Sequence, residues 1–375
     1  MNRIPAWPVL TLASLITGCV SLPSLEGRTE TSALVDTEGT RLGRAIAPLA
    51  AANPGKSGIY ALSEPGGAFA ARALLATAAE RSLDVQYYIW HGDQTGYLLF
   101  EALWQAAERG VRVRLLLDDI NTGGLDETIA ALDAHPNIDV RLYNPVVHRR
   151  VRSINFLTDF TRVNRRMHNK SFTADNQVAI VGGRNVGNEY FGAGASVGFR
   201  DLDVIAVGPA AREVSKAFDL YWNSSSAYPA APLVGSAGQD PAASLRAKFE
   251  EVRGDPESVA YREALRKTTL VRELLDGRLA FEWASAQLFR DDPAKTLDTT
   301  DRTDVLLLSA WLKAVRPPET SFDLVSPYLV PGEGGTEALA ALAARGVKVR
   351  ILTNSMAASD VGAVQPLLQA LSDPA

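Results

Sequence analysis

Positive charge is in short supply in this chain: 38 Lys and Arg stand against 43 Asp and Glu, a formal net charge of −5. A general nucleic-acid binder is usually basic overall, so no nucleic-acid partner is expected. Long apolar runs are missing too. The stretch from Val9 to Ile16 is too short to span a bilayer, and no other segment is long and apolar enough to do so. Histidine and cysteine are scarce, at four and one. No His/Cys/Asp cluster has zinc spacing, and there is neither a P-loop nor a dinucleotide glycine fingerprint. No metal and no cofactor are therefore expected. The adjacent acids Asp118 and Asp119, at the end of an apolar strand, read as loop or helix-cap groups.

What is present describes a globular protein. The 375 residues suffice for two ordinary domains, and 46% hydrophobic with 22% charged residues excludes general disorder. Charge is unevenly spread: from Arg141 to Lys170 there are eight Lys and Arg and only Asp159 as an acid. Taken alone such a run is a solvated face, but its position just before His168 makes it an anion-attracting approach to a site. Residues 20–58 are mixed and rich in turn formers, and read as a tether with a short helix near Leu42 to Ala52. Folded structure is expected from about Ile59, within a first domain over 59–235. A helix over Phe69 to Arg81, a strand over Ser82 to Trp90, a helix over Thr95 to Arg109 closed by Gly110, and a strand over Val111 to Leu117 follow. This alternation predicts an α/β fold, a parallel or mixed sheet covered by helices.

The pattern returns late. Ser321 to Leu329 parallels the strand at 82–90, Thr336 to Ala344 parallels the helix, and Arg345-Gly346-Val347-Lys348-Val349-Arg350 nearly repeats Arg109-Gly110-Val111-Arg112-Val113-Arg114. This is read as an internal duplication whose second copy, 321–375, is incomplete at the C-terminus. Residues 236–320 read as a helical connecting insert. The two hexapeptides lie 236 residues apart.

The chemistry concentrates in Met167-His168-Asn169-Lys170-Ser171-Phe172-Thr173-Ala174-Asp175, followed by Gly182-Gly183-Arg184-Asn185. A His and a Lys two apart on an extended segment point to the same side. That pairing suits attack on a phosphate diester, with Lys170 holding a nonbridging oxygen while His168 attacks phosphorus or protonates the leaving oxygen. The spacing His-x-Lys-x4-Asp-x6-Gly-Gly-x-Asn resembles the signature of the phospholipase D superfamily. Leu142-Tyr143-Asn144-Pro145, Arg165-Arg166 before the motif, Tyr87-Tyr88-Ile89-Trp90 and Leu115 to Asp119 are similar to the cardiolipin synthase branch and its lipoprotein-like bacterial members.

The resemblance implies a duplicated phospholipase D-like mixed sheet flanked by helices, and roles residue by residue. His168 is the nucleophile or its acid/base partner, Lys170 the phosphate-binding lysine and Asn185 an amide donor to a phosphate oxygen. Asp175 is the motif aspartate, expected to support the loop. A carboxylate should fix the His168 tautomer, and Asp201 is favoured over Asp203. Gly183 stands where many relatives carry Ser and leaves a backbone N–H. Arg166 and Glu189 join it as residues expected near the substrate. The superfamily uses two copies of the motif. A second His-x-Lys would fall about position 404 or beyond, and this chain shows one.

Ile16-Thr17-Gly18-Cys19, after the apolar stretch, looks like a bacterial lipobox, making 1–19 a lipoprotein signal with Cys19 the lipidated residue. Val20 after it favours the periplasmic face of the outer membrane. The implied function is phosphatidyl transfer between anionic phospholipids through a phosphohistidine. Hydrolytic phospholipase D or another phosphodiesterase is the alternative, and a non-catalytic membrane-anchored scaffold is the second alternative if the chain ends at 375. Some single-motif relatives pair two chains across a twofold axis. Such a homodimer is not favoured here, because the half-repeat would crowd that face.

Overall fold

The computed structural model describes residues 21–149, 151–194, 198–236, 238–266, 269–297, 307–329 and 331–354. The lipobox and Cys19 lie outside the described residues, among which no helix is long and apolar enough to cross a membrane. The chain forms two units, Met1–Leu307 and Leu308–Ala375.

Unit 1 is built on a nine-stranded sheet. In chain order its strands are β1 (Ser57–Leu62), β2 (Ser82–Tyr87), β3 (Arg112–Asp118), β4 (Ile138–Tyr143), β5 (Ser171–Ala174), β6 (Val178–Gly182), β7 (Asp203–Val207), β8 (Ala227–Pro229) and β9 (Glu282–Ala284). Across the sheet they run β8-β4-β3-β2-β5-β6-β7-β1-β9. Strands β2, β3 and β4 are parallel, and every pairing from β2–β5 outward is antiparallel. Around it lie α1 (Arg41–Ala51), α2 (Pro65–Ala78), α3 (Gln94–Glu108), α4 (Asp126–Asp133), α5 (Ser153–Thr158), α6 (Phe160–Val163), α7 (Asn188–Phe191), α8 (Pro209–Trp222), α9 (Ala231–Val234), α10 (Pro241–Gly254), α11 (Pro256–Arg266) and α12 (Leu270–Leu275). This is the mixed, helix-flanked α/β sheet that the sequence implies.

The two faces of the sheet differ. Alternation along the strands sends Leu83, Val85, Tyr87, Val113, Leu115 and Leu117 into the main apolar core with α2 and α3. The opposite face carries Asp84, Gln86, Arg114 and Arg141, all buried, beneath α8 with its Phe218, Tyr221 and Trp222. Buried charge must be paired and bonded. Arg114 donates from Nε to Asp84 Oδ1 at 2.6 Å, from Nη2 to Asp219 Oδ1 of α8 at 2.7 Å, and from Nη1 to the Thr31 carbonyl at 2.9 Å. Arg141 donates to the carbonyls of Trp222 and Thr29, at 2.8 and 2.6 Å.

Those bonds correct the expectation of a tether over 20–58. Thr29 and Thr31 supply backbone acceptors to buried arginines, and Arg28 donates to the carbonyls of Asn223, Ser224 and Ala227. Helix α1 then buries Leu42 and Ile46 in the core. Order therefore begins well before Ile59. The helical insert also needs correcting. Helices α10 to α12 pack on α1 to α4, but Glu282–Ala284 joins the sheet beside β1, and residues 285–297 are irregular apart from one 3-10 turn, Pro293–Thr296.

Within unit 2, β10 (Ser321–Val325), α14 (Gly332–Ala344) and β11 (Lys348–Leu352), preceded by α13 (Leu307–Ala314), form a parallel βαβ unit. It repeats the β2–α3–β3 geometry bond for bond at the helix end. Gly110 and Gly346 have φ of +89° and +84°. Gly110 N–H meets Ala107 O and Val111 N–H meets Ala106 O, as Gly346 meets Ala343 and Val347 meets Leu342. Asp323 and Arg350 are also cross-strand partners, paired like Asp84 and Arg114.

The buried and exposed copies of that pair should behave differently. Asp84→Ala strips Arg114 of one of its two counter-charges and should lower the unfolding free energy by about 3 kcal/mol in a urea melt. The matching Asp323→Ala, on an exposed pair, should leave the urea midpoint unchanged.

Candidate active site

The sheet switches from parallel to antiparallel between β2 and β5, so the start of β5 lies beside the end of β2. One edge thus gathers the ends of β2, β3 and β4, the approach to β5, the end of β6 and the start of β7, the place where open α/β sheets bind ligands. Asp118, at the end of β3, organises it. Its buried carboxylate accepts Arg166 Nε at 2.9 and 3.1 Å, the Met167 N–H at 2.8 Å and the Ile120 N–H at 3.2 Å, and pairs with Arg166 Nη2 at 2.7 Å. Burial pushes the Asp118 carboxyl up, with Arg166 opposing the shift. Arg166 also bonds the carbonyls of Val163, Tyr143 and Asn144, at 3.1, 3.2 and 2.9 Å. That corrects the expectation that Arg166 meets substrate: it is buried and its donors are occupied.

Two residues fixed at Asp118 deliver His168. Its imidazole stacks on the Tyr88 ring, centroids 3.9 Å apart and planes 21° apart, and the Lys170 ammonium sits 5.3 Å from the same ring centroid. Lys170 Nζ also donates to the His168 carbonyl at 2.6 Å. The two motif side chains thus converge on one aromatic platform. Desolvation, with the Lys170 and Lys295 ammonium groups adding to it, holds the imidazole down at about 4. Burial brings Lys170 down to about 8, against the opposing pull of Asp201, Asp118 and Asp203.

The other expected residues fall into place around this centre, several in roles other than those anticipated. Asp201 acts on Lys170, and among the described residues no carboxylate bonds the His168 ring. Asp203, the fallback, is committed to Arg72 at 2.8 Å and Arg184 at 3.4 Å, fully buried. A β-carbon on Gly183 would lie 2.1 Å from Asp201 Oδ1, and one on Gly182 would lie 2.5 Å from Asp203 Cα, so the Gly-Gly pair lets β7 approach. The Gly183 N–H, expected to face substrate, donates to the Leu202 carbonyl at 3.2 Å.

Asn185 accepts the Ile89 N–H at 3.0 Å and donates to the Tyr190 hydroxyl at 3.1 Å, bracing the turn after Tyr88. Asp175 lies at the far end of β5, beyond reach of His168. There it accepts the N–H groups of Glu80, Arg81 and Ser82, which is loop support. Glu189 accepts His91 Nδ1 at 3.1 Å. This bond raises the His91 imidazole, and it overrides desolvation to leave Glu189 below its usual range. His91, Asp93 and Glu189 have ligand-type atoms within 4.8 Å of one another. Asp93 already caps α3 through Gly96 N–H and holds Asn188 N–H, so this group reads as a helix-cap cluster.

The basic approach over 141–170 also differs from expectation. Arg141 and Arg166 are buried, and Arg149, Arg152 and Arg162 bond Asp119, Asp126, Asp159 and nearby carbonyls. Most of this charge is structural. The cation not foreseen is Lys295, paired with Asp291. Tyr221 braces that segment: its hydroxyl donates to the Asp291 carbonyl at 3.0 Å, and burial pushes the phenol up, with the Asn169 side chain opposing the shift. The Tyr143 hydroxyl pins the same turn through Pro293 O and Thr296 Oγ1, at 3.2 and 2.9 Å. In the sequence this segment falls inside the stretch 236–320 that reads as a helical connecting insert.

A mixed sheet bearing a His-x-Lys pair at its parallel-to-antiparallel switch defines a phospholipase D-like protein. Residues 73–222 match the family described as cardiolipin synthase, PLD-like domain. The chain is 44% identical to cardiolipin synthase C of Escherichia coli K12 over 327 residues, 86% of this chain and 68% of that protein. It is 30% identical to an uncharacterized protein of Helicobacter pylori 26695, over 87% of this chain and 64% of that one. Phosphatidylserine synthase of Haemophilus influenzae aligns over 86% of this chain and 67% of that one, at 14% identity and a TM-score of 0.49. The chain belongs to the phospholipase D-like cardiolipin synthase family, and it spans about two thirds of the length of the curated relatives it matches.

The depressed imidazole is directly measurable. A nitrogen-detected NMR titration should place the His168 midpoint near pH 4. Lys170→Met or Lys295→Met removes a positive charge that opposes protonation, so either should move that midpoint upward, toward the free value of about 6.5. A midpoint unchanged in both variants would contradict the arrangement.

Proposed function

We propose that this chain acts as a phosphatidyltransferase of the cardiolipin synthase type. The observation that carries this reading is the neutral His168 imidazole and the Lys170 ammonium brought to one Tyr88 ring, in a chain 44% identical to a cardiolipin synthase. Lys170 holds a nonbridging oxygen of the donor lipid. His168 attacks phosphorus, forming a P–N bond as the P–O bond to the departing alcohol breaks and that oxygen gains a proton. The hydroxyl of a glycerol-containing lipid then attacks the phosphohistidine: the new P–O bond forms as the P–N bond breaks, His168 is released as the free imidazole, and the hydroxyl proton passes to water. One diester is exchanged for another, so the reaction needs no nucleotide. Lys295, with Asp291 beside it, adds a second cation next to the reacting phosphate.

In this reading Asp201 serves Lys170, Asp118 and Arg166 position the motif, and Asn185 and Asp175 hold its loops. The βαβ unit of 321–352 belongs to a duplicated copy of the fold. Cys19 is the acylated residue that holds the enzyme at the membrane, on the periplasmic face of the outer membrane. Cys19→Ala should release the protein into the soluble periplasmic fraction, and unchanged fractionation would rule out that anchor.

Labelled phosphatidylglycerol should yield cardiolipin, with His168→Ala lowering the rate at least about a thousandfold. Phosphatidic acid as the sole product would mean hydrolysis, and a His168→Ala protein equal to wild type would leave a scaffold. The nucleophile must be neutral and the phosphate ligand charged. Activity should therefore fall as pH drops through about 4 and as it rises through about 8.

A further inference from the structure

Between β4 and the motif, helix α5 is turned inside out, and the exposed Phe160 continues its apolar face into α6, which buries only Val163. A surface helix normally buries its apolar side chains and exposes its polar ones. Here the inward residue is Asn155, buried and bonded to the His148 N–H at 2.9 Å, the His148 carbonyl at 3.0 Å and the Arg152 carbonyl at 2.9 Å. Leu157 is 87% exposed, Phe160 60% and Val151 52%, with Ile154 and Phe156 exposed beside them. Five large apolar side chains thus reach solvent within residues 151–160. Soluble surfaces tolerate such residues singly, and a contiguous group marks an interaction site.

The base of this projection is rigid and continuous with the site. Asn144 Nδ2 donates to the carbonyls of Arg162 and Arg165 at 2.9 and 2.7 Å, and Arg162 Nη1 returns to Asn144 Oδ1 at 2.8 Å. Arg166 Nη1 then holds the Val163 carbonyl, two residues before His168. Of the segment's arginines, Arg149 and Arg152 are paired with Asp119 and Asp126, and Arg162 with Asp159. Arg165 is half-buried and has no ion pair among the described residues. Exposed Phe and Leu close to the unpaired cation of Arg165 is the chemistry that inserts shallowly at the headgroup boundary of an anionic bilayer.

We propose that residues 151–160 form a membrane-docking finger that seats its apolar tip in an anionic phospholipid surface and brings the His168 edge to the headgroups. The choice of a bilayer as the occupant rests on the phosphatidyltransfer reading, since a lipid phosphate must reach His168. The finger itself rests on the inverted burial.

The test uses the full chain with Cys19→Ser, which removes the sole cysteine and with it any acylation. Leu157→Cys, and separately Val259→Cys on α11, exposed but outside the finger, carry an environment-sensitive fluorophore. With vesicles of phosphatidylglycerol and phosphatidylethanolamine, the label at 157 should shift to the blue and be quenched by brominated acyl chains, while that at 259 should not. Adding Phe160→Asp should weaken vesicle partition about tenfold or more. Equal responses at 157 and 259 would overturn the proposal. So would a blue shift at 157 that follows protein concentration without vesicles, which would make the finger a contact between copies of the chain. Vesicle quenching at 157 without lipid turnover would leave docking intact and remove the transferase reading. Turnover of detergent-dispersed lipid with a silent label would do the reverse.

Discussion

The Asp118 carboxylate is the constraint on which the rest of the site depends. It ends a parallel strand, lies fully buried, and spends its acceptor capacity on Arg166 and on the N–H groups of Met167 and Ile120. Two successive residues of the incoming chain are therefore fixed in direction before His168 leaves the edge. A buried carboxylate is costly unless it is paired and bonded, and Arg166 compensates it while tying the ends of β4 and α6 to the same point. The His168 ring then needs only one further surface to be placed, and Tyr88 provides it. The reactive pair is held from behind by charge and from the side by an aromatic face, leaving the ring edge accessible.

A second network of the same kind shapes the sheet. Arg114 and Arg141 sit on a face that packs under α8, and the acceptors they lack within the sheet come from Asp219 and from the carbonyls of Thr29 and Thr31. The N-terminal segment is ordered because buried arginines need it. Its composition, mixed and rich in turn formers, carries no sign of that, since a backbone carbonyl looks alike in every residue. Unit 2 repeats the cross-strand Asp–Arg pair with both members exposed. The pairing thus follows from strand register, and burial is a separate matter decided by what covers the face.

Much of the fold was legible for physical reasons. Alternating strands and helices, the Gly110 stop of α3, and the repeated Arg-Gly-Val hexapeptide each constrain the backbone locally, and those elements stand within a few residues of where the sequence placed them. His168 and Lys170 were legible as a pair because strand alternation alone puts them on one side. The functional partners were not, because they arrive through long-range packing. Tyr88 follows the end of β2, and Asp291 and Lys295 come from a pinned turn more than a hundred residues downstream. The charge run at 141–170 misled because a sequence shows where arginines are and not which carbonyls and carboxylates they face. Asp201 and Asp203, two apart like the motif pair, divide in the structure, one acting on Lys170 and the other locked to Arg72 and Arg184.

The titration behaviour of the pair follows from this division of charge. Desolvation and neighbouring ammonium groups both disfavour a second positive charge on His168, so the ring stays neutral and nucleophilic across the physiological range. Lys170 is left close to its own titration point because burial outweighs the carboxylates around it. An arriving phosphodiester supplies the missing negative charge and raises the Lys170 proton affinity again. Substrate binding and the charge of its ligand therefore reinforce each other. In the proposed reaction, binding would stabilise the protonated lysine, and the protonated lysine would hold the phosphate beside His168. Under the proposed function, a site built this way would favour anionic diesters through the physics of its own desolvation, before any contact with the alcohol on either side of the phosphorus is made.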